Sequence, residues 1–213
     1  MTKYILAALV VVMFLSVGGC SSETISTATP TEPPTTASPG PASTPVPTAT
    51  PLVIDIVDPG KQYTATIETE KGNIVLELFA SDVPITVSNF VHLARQGYYD
   101  NTTFHRVIPG FMAQGGDPTG TGAGNPGYFI PDEITQHTHV AGALSMANMG
   151  VPDTSGGQFF ITYGPQHDLD GRYSVFGQLI EGMDVLESLT PRNPADNPDF
   201  DGDAVIRITI EEI

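Results

Sequence analysis

Tryptophan is absent from this chain, and cysteine occurs once, at position 20. A single cysteine excludes an internal disulfide, so the fold must be held by non-covalent contacts. Basic side chains are scarce: 8 Lys and Arg stand against 24 Asp and Glu, a formal net charge of −16. That balance argues against a nucleic-acid partner and against attraction to anionic lipid headgroups. It suits a soluble extracytoplasmic domain with some preference for basic clients. Long apolar runs are lacking beyond the N-terminus, and the run there, Ile5 to Leu15, is short of the about 20 residues that a spanning helix needs. No G-x-S-x-G turn, P-loop or cysteine nucleophile motif occurs, so the common hydrolase and nucleotide-binding signatures are missing.

The N-terminus carries its own pattern. Lys3 supplies a positive start, Ile5 to Leu15 an apolar core, and Val17-Gly18-Gly19-Cys20 small residues before the lone cysteine. Residues 1–19 are therefore expected to be a bacterial lipoprotein signal peptide and Cys20 the lipidated residue, a membrane anchor. An ordinary signal peptide or an uncleaved anchor is the alternative. Residues 20–60 are rich in Pro, Thr, Ser and Ala, a composition that cannot bury enough apolar area to offset the entropy of ordering it. That stretch reads as a disordered linker, and residues 61–213 as one domain long enough to bury about 68–70% of its unfolded surface.

Within the domain, alternation predicts strands over Tyr63–Thr69 and Asn73–Leu78, with Lys71-Gly72 as the hairpin turn. Pro84 to Gln96 reads as a helix, with Pro84 in its first turn and Val87, Phe90, Val91 and Ala94 on one face. Further strands are expected at 103–107, 111–114, 144–147, 159–162, 174–179 and 204–211, and a second short helix at 183–189. Many short strands with two helices give a mainly β fold, barrel or sandwich.

One stretch is chemically odd. In Phe104-His105-Arg106-Val107-Ile108-Pro109-Gly110-Phe111-Met112-Ala113-Gln114-Gly115-Gly116-Asp117 an arginine interrupts an apolar strand with no nearby acidic partner. Alternation places Phe104 and Ile108 on the side of Arg106, and His105 opposite. Two more runs follow: Gly142 to Asn148 leading into Ser155-Gly156-Gly157-Gln158-Phe159-Phe160-Ile161, and Leu169-Asp170-Gly171-Arg172-Tyr173-Ser174-Val175-Phe176-Gly177. In this order and at these separations the three runs resemble the cyclophilin family of peptidyl-prolyl cis-trans isomerases, from about Tyr63 to the C-terminus.

The resemblance implies a closed eight-stranded antiparallel β-barrel capped by two α-helices, working on Pro-containing polypeptides as a monomer without metal or cofactor. Arg106 matches the family's catalytic arginine, and Gln114 the residue that orients it and touches substrate. Phe111, Met112, Phe160 and Leu169 match the pocket for the proline ring, and Ala147 and Asn148 the backbone-recognition segment. Gln158 and Tyr173 fall in the same motifs as substrate-binding positions. His105 is expected either in a structural hydrogen bond near the site or in direct substrate contact. Asp168 stands where many eukaryotic members have tryptophan, so weak binding of cyclosporin-type macrocycles is expected. Tyr173 replaces a histidine, Met149 is bulkier than the usual alanine, and Val151 lengthens the loop before Gln158. The competing class is a binding module, a chaperone or scaffold that holds Pro segments without turnover. His137-Thr138-His139 lacks a third zinc ligand, and the EF-hand-like run from Asn197 has Ile208 where a glutamate is needed.

Overall fold

The computed structural model describes residues 56–196 and 199–213. The expected signal peptide, Cys20 and most of the linker lie outside the described residues, as do Asn197 and Pro198. The elements are β1 (Tyr63–Thr69), β2 (Gly72–Leu78), α1 (Pro84–Arg95), β3 (Thr102–Thr103), β4 (Arg106–Ile108), β5 (Met112–Gly115), β6 (Ala143–Met146), β7 (Phe159–Thr162), β8 (Val175–Glu181), α2 (Met183–Glu187) and β9 (Ala204–Glu212). The strands form one nine-stranded sheet in the order β3-β9-β1-β2-β8-β6-β7-β5-β4. Its ladders are antiparallel.

The expected closed eight-stranded barrel is corrected here to an open, curled sheet of nine strands. The end strands β3 and β4 are joined by only Phe104 and His105, so the sheet must curl to bring its ends together, yet no ladder pairs them. Their backbone groups are satisfied elsewhere. Phe104 N–H donates to Asp203 O at 2.9 Å, and Val107 exchanges two hydrogen bonds with Arg192 at 2.7 and 2.9 Å. A segment between α2 and β9 thus fills the seam, because backbone donors and acceptors at a buried edge must find partners.

The same break corrects the single strand expected over 103–107. Phe104 is fully buried beside Phe159, in an edge contact of 6.3 Å, and does not share the side of Arg106. Smaller differences have simple causes. The β1–β2 register pairs Thr69 with Gly72, so the hairpin turn is Glu70-Lys71. Pro84 opens α1 as expected, but the helix is capped by a remote residue, Glu133, whose carboxylate accepts from Ile85 N and Thr86 N at 3.1 and 2.6 Å.

Val87, Phe90, Val91 and Ala94 of α1 all face the core, where Phe90 packs against Tyr99, Phe159 and Phe176. Val57, near the start of the described residues, is buried, and its N–H donates to Ser88 Oγ at 3.0 Å.

β5 ends at a position that only glycine fits. Gly116 has φ +83°, and a Cβ there would lie 2.5 Å from Gly157 O. Gly116→Ala is therefore expected to destabilise the protein by about 2–3 kcal/mol, read as a lowered urea midpoint.

Candidate active site

The site follows from strand register. β4 and β5 pair Arg106 with Gln114, Val107 with Ala113 and Ile108 with Met112. β5 and β7 then pair Gln114 with Phe160, and Ala113 with Ile161. Next, β7 and β6 pair Phe160 with Ser145, and Ile161 with Leu144. Because directly paired residues share a face, two rows run across the four strands. Val107, Ala113, Ile161 and Leu144 form the buried row, all part of the core. Arg106, Gln114, Phe160 and Ser145 form the row on the opposite face.

On that opposite face lies a pocket of about 210 Å³. Arg106, Phe111, Met112, Gln114 and Phe160 line it from the sheet, joined by Ala147, Asn148, Leu169 and Tyr173 from the following segments. Nine of the eleven residues expected at the groove meet here. Gln158 lines an adjoining pocket of about 450 Å³, which shares Gln114, Ala147 and Asn148 with the first. His105 lines neither pocket. It is 1% exposed, and neither ring nitrogen has a hydrogen-bond partner among the described residues. His105 thus stands outside the lining of the groove, packed behind the Arg106 strand. Burial holds its imidazole below the ordinary pKa, against the pull of Asp117.

Arg106 is half-buried and forms no ion pair among the described residues. Its guanidinium lies 5.7 Å from the Phe111 ring centre, a cation–π contact, with Nη1 3.8 Å from Met112 Sδ. No carboxylate competes for its strong donors. The backbone beneath it is clamped by a residue that sequence reasoning missed. Arg192 is buried and donates Nη1–H to His105 O and Nε–H to Phe200 O, besides its backbone pairing with Val107. Nothing local marks Arg192 as a support of this strand, since its partner His105 lies 87 residues away.

Gln114, expected to orient Arg106 and touch substrate, pairs with it across the β4–β5 ladder and donates its Nε2–H to Gln158. Gln158 Nε2 donates to the carbonyls of Gly122 and Gly124 at 3.0 and 2.8 Å, which turns its Oε1 toward Gln114 Nε2 at 2.9 Å. Gln114 and Arg106 are ladder partners and line the same pocket. The loop that presents those carbonyls is built around Asp117, which is fully buried. Burial pushes its carboxyl up, but hydrogen bonds from Thr119, Gly124 and Gly122 outweigh this and hold it below the usual carboxylate range.

Among the described residues no three His, Cys, Asp or Glu side chains converge as a metal-binding set. His137 and His139 part company: one bonds Asp82, the other Asp170 and Ser145. Asp168 is exposed and lies outside the pocket lining. What the pocket offers is an apolar floor, a recess and, at its edge, a cationic donor with no ion pair among the described residues, which suits an apolar ring attached to a polar, hydrogen-bonding backbone.

A family model described as cyclophilin type peptidyl-prolyl cis-trans isomerase/CLD matches residues 64–212. A peptidyl-prolyl cis-trans isomerase of Synechococcus elongatus is 56% identical over 127 residues, covering 59% of this chain and 87% of that protein. Peptidyl-prolyl cis-trans isomerase B of Bacillus subtilis is 52% identical over 124 residues, covering 57% and 86%. Among solved structures, a cyclophilin type peptidyl-prolyl cis-trans isomerase of Cryptosporidium parvum superposes with a TM-score of 0.65 at 40% identity, over 70% of this chain and 98% of that one. The Cryptosporidium protein in the presence of the dipeptide Ala-Pro gives a TM-score of 0.64 at 41% identity over the same shares.

Acid should loosen the wall that carries Leu169 and Tyr173. Backbone and side-chain hydrogen bonds from His139 hold the Asp170 carboxyl down to about 2, against an ordinary value of 3.8. A depressed carboxyl stabilises the fold above its unfolded pKa, and that contribution fades as pH falls from about 4 to 2. The urea midpoint should therefore fall over this range in the native protein, and fall less steeply in Asp170→Asn.

Proposed function

This chain belongs to the cyclophilin type peptidyl-prolyl cis-trans isomerase family and is an enzyme of that class, and from that premise we propose that Arg106 is its electrostatic centre. Rotation about a peptide bond meets a barrier of about 18–20 kcal/mol because resonance gives the C–N bond double-bond character. Before proline the two isomers differ by only about 0.5–1 kcal/mol, yet they exchange over tens to hundreds of seconds. No covalent bond need be made or broken. The enzyme need only bind the twisted amide better than either planar form.

As the bond twists, the prolyl nitrogen pyramidalises and gains a lone pair that a fixed cationic donor stabilises. Arg106 suits this role because it stays charged and its donors form a rigid fork. The observation that carries the reading is its guanidinium at the edge of an apolar pocket, without an ion pair among the described residues, on a hairpin clamped by Arg192. The proline ring enters between Phe111, Met112, Phe160 and Leu169, and Asn148 and Ala147 flank the substrate backbone. The crystal structure of the Cryptosporidium relative in the presence of the dipeptide Ala-Pro supports a proline-containing ligand. A rate gain of about 10⁵ corresponds to roughly 7 kcal/mol off the barrier. One donor supplies about 3–4 kcal/mol by analogy with oxyanion-hole deletions, and holding the substrate in a twist-competent pose supplies the rest.

The setting we propose is extracytoplasmic. A monomeric domain is tethered through lipidated Cys20 and a Pro/Thr/Ser-rich linker, and acts on unfolded or folding polypeptides. Support comes from the small residues before the lone cysteine and from the scarcity of basic side chains. Exposed Asp168, with no indole at that position, supports weak cyclosporin-type binding.

Two measurements test this reading. Exchange of an Ala-Pro peptide, followed by NMR, should be catalysed strongly by the native protein and about 10²–10³-fold more weakly by Arg106→Ala. Catalysis that survives the substitution would remove Arg106 from the mechanism. Binding of the peptide without any catalysis by the native protein would make this a Pro-segment scaffold. Separately, Cys20→Ser expressed in a bacterial host should move the protein out of the membrane fraction and abolish incorporation of labelled fatty acid. A variant still labelled and still membrane-bound would refute the anchor.

A further inference from the structure

Behind the proline pocket lies a buried polar array that the mechanism above does not use. His139 is fully buried and does not line the pocket. Its ring stacks on Phe160 with centres 5.7 Å apart and planes 7° apart. Tyr173 sets its edge against both rings, at 5.6 Å from Phe160 and 6.3 Å from His139. Two of these three rings, Phe160 and Tyr173, are walls of the pocket.

His139 is tied on every polar edge. Its backbone N–H and Nδ1 both meet Asp170 Oδ1 at 2.8 Å, and its carbonyl accepts from Gln166 N at 2.7 Å. Nε2 lies 3.2 Å from Ser145 Oγ, whose hydroxyl also reaches Ser174 O at 3.0 Å. Ser145 is the β6 partner of Phe160, which explains why the imidazole sits under that ring. Asp170 Oδ2 is taken by His167 Nδ1 at 2.9 Å.

Asp170, His139 and Ser145 thus stand in the spatial order of a nucleophile triad. Ser145 is fully buried, so no substrate atom can reach its hydroxyl. The array acts instead through what it holds. The segment from Gln166 to Tyr173 contains Leu169 and Tyr173 of the pocket yet is mostly turn, with a single 3-10 turn over His167–Leu169. A turn of that kind has no ladder to fix it, and the three bonds to His139 take the ladder's place.

We propose that His139 is a positioning residue of the proline pocket, fixing Phe160 by stacking and the Leu169–Tyr173 wall through Asp170. The inference rests on the isomerase reading of this groove. It predicts that the array governs how well substrate binds and leaves the twisting step to Arg106.

The test separates KM from kcat by NMR exchange on an Ala-Pro tetrapeptide. Asp170→Ala should raise KM about tenfold while kcat stays within about twofold, since the wall is displaced and the cationic donor is not. Asp170→Asn should recover most of the loss, because its amide oxygen can accept from both His139 donors. His139→Phe keeps the ring stack and core volume but not the bonds to Asp170, so it should show the same rise in KM even if Asp170→Ala folds poorly. An unchanged KM in a folded variant, or a loss confined to kcat or to the unfolding midpoint, would overturn the proposal. A native protein that catalyses no exchange would overturn the isomerase reading instead. The peptide Kd from chemical-shift titration would then still read the wall: a tenfold rise in Asp170→Ala supports the proposal, and no rise overturns it.

Discussion

The pairing of Arg106 with Gln114 across the β4–β5 hairpin is the constraint on which the site depends. Strand side chains alternate between faces, so this one register sends Val107, Ala113, Ile161 and Leu144 to the core and Arg106, Gln114 and Phe160 to the groove. A slip of one residue would exchange the two rows and bury a guanidinium. The hydrophobic core therefore positions the groove face. The energy that drives burial of the inner row also holds the outer row rigid.

Rigidity on the outer face is completed by buried polar groups, each fully engaged where its charge would otherwise be costly. Asp117 is wrapped by the donors of its own loop and orders the carbonyls that turn Gln158 toward Gln114. Arg192 closes the seam of the open sheet and clamps the backbone on either side of Arg106. His139 and Asp170 tie down the segment opposite. These supports leave Arg106 itself without a carboxylate partner among the described residues. Its donors are free for a peptide, and the surrounding structure fixes where they point.

The loops around the groove are where this chain departs most from the eukaryotic pattern it resembles. Met149 and Val151 are largely exposed on the segment after Asn148, and Phe129 is half-exposed across the adjoining pocket. These exposed apolar side chains sit beside a groove on a protein of net charge −16. Phe129, Met149 and Val151 lie outside the lining of the pocket that Arg106 edges.

The sequence by itself determined most element types, the family resemblance and nine residues that the fold brings together around one pocket. The hairpin around Pro109-Gly110, the amphipathic face of α1 and the three linked motifs are local patterns, written in residues that are close along the chain. Tertiary structure decided what depends on distant partners. The break at Phe104-His105, the open nine-stranded sheet and the cap that Glu133 places on α1 all follow from where remote backbone and side-chain groups find hydrogen bonds. His105 and His139 show the difference most clearly, since no local pattern tells a buried imidazole without partners from one held by Asp170 and Ser145. Periodicity assigns a residue to a face of a strand. Which polar groups meet behind that face is settled only when the chain has folded and most buried donors have found acceptors.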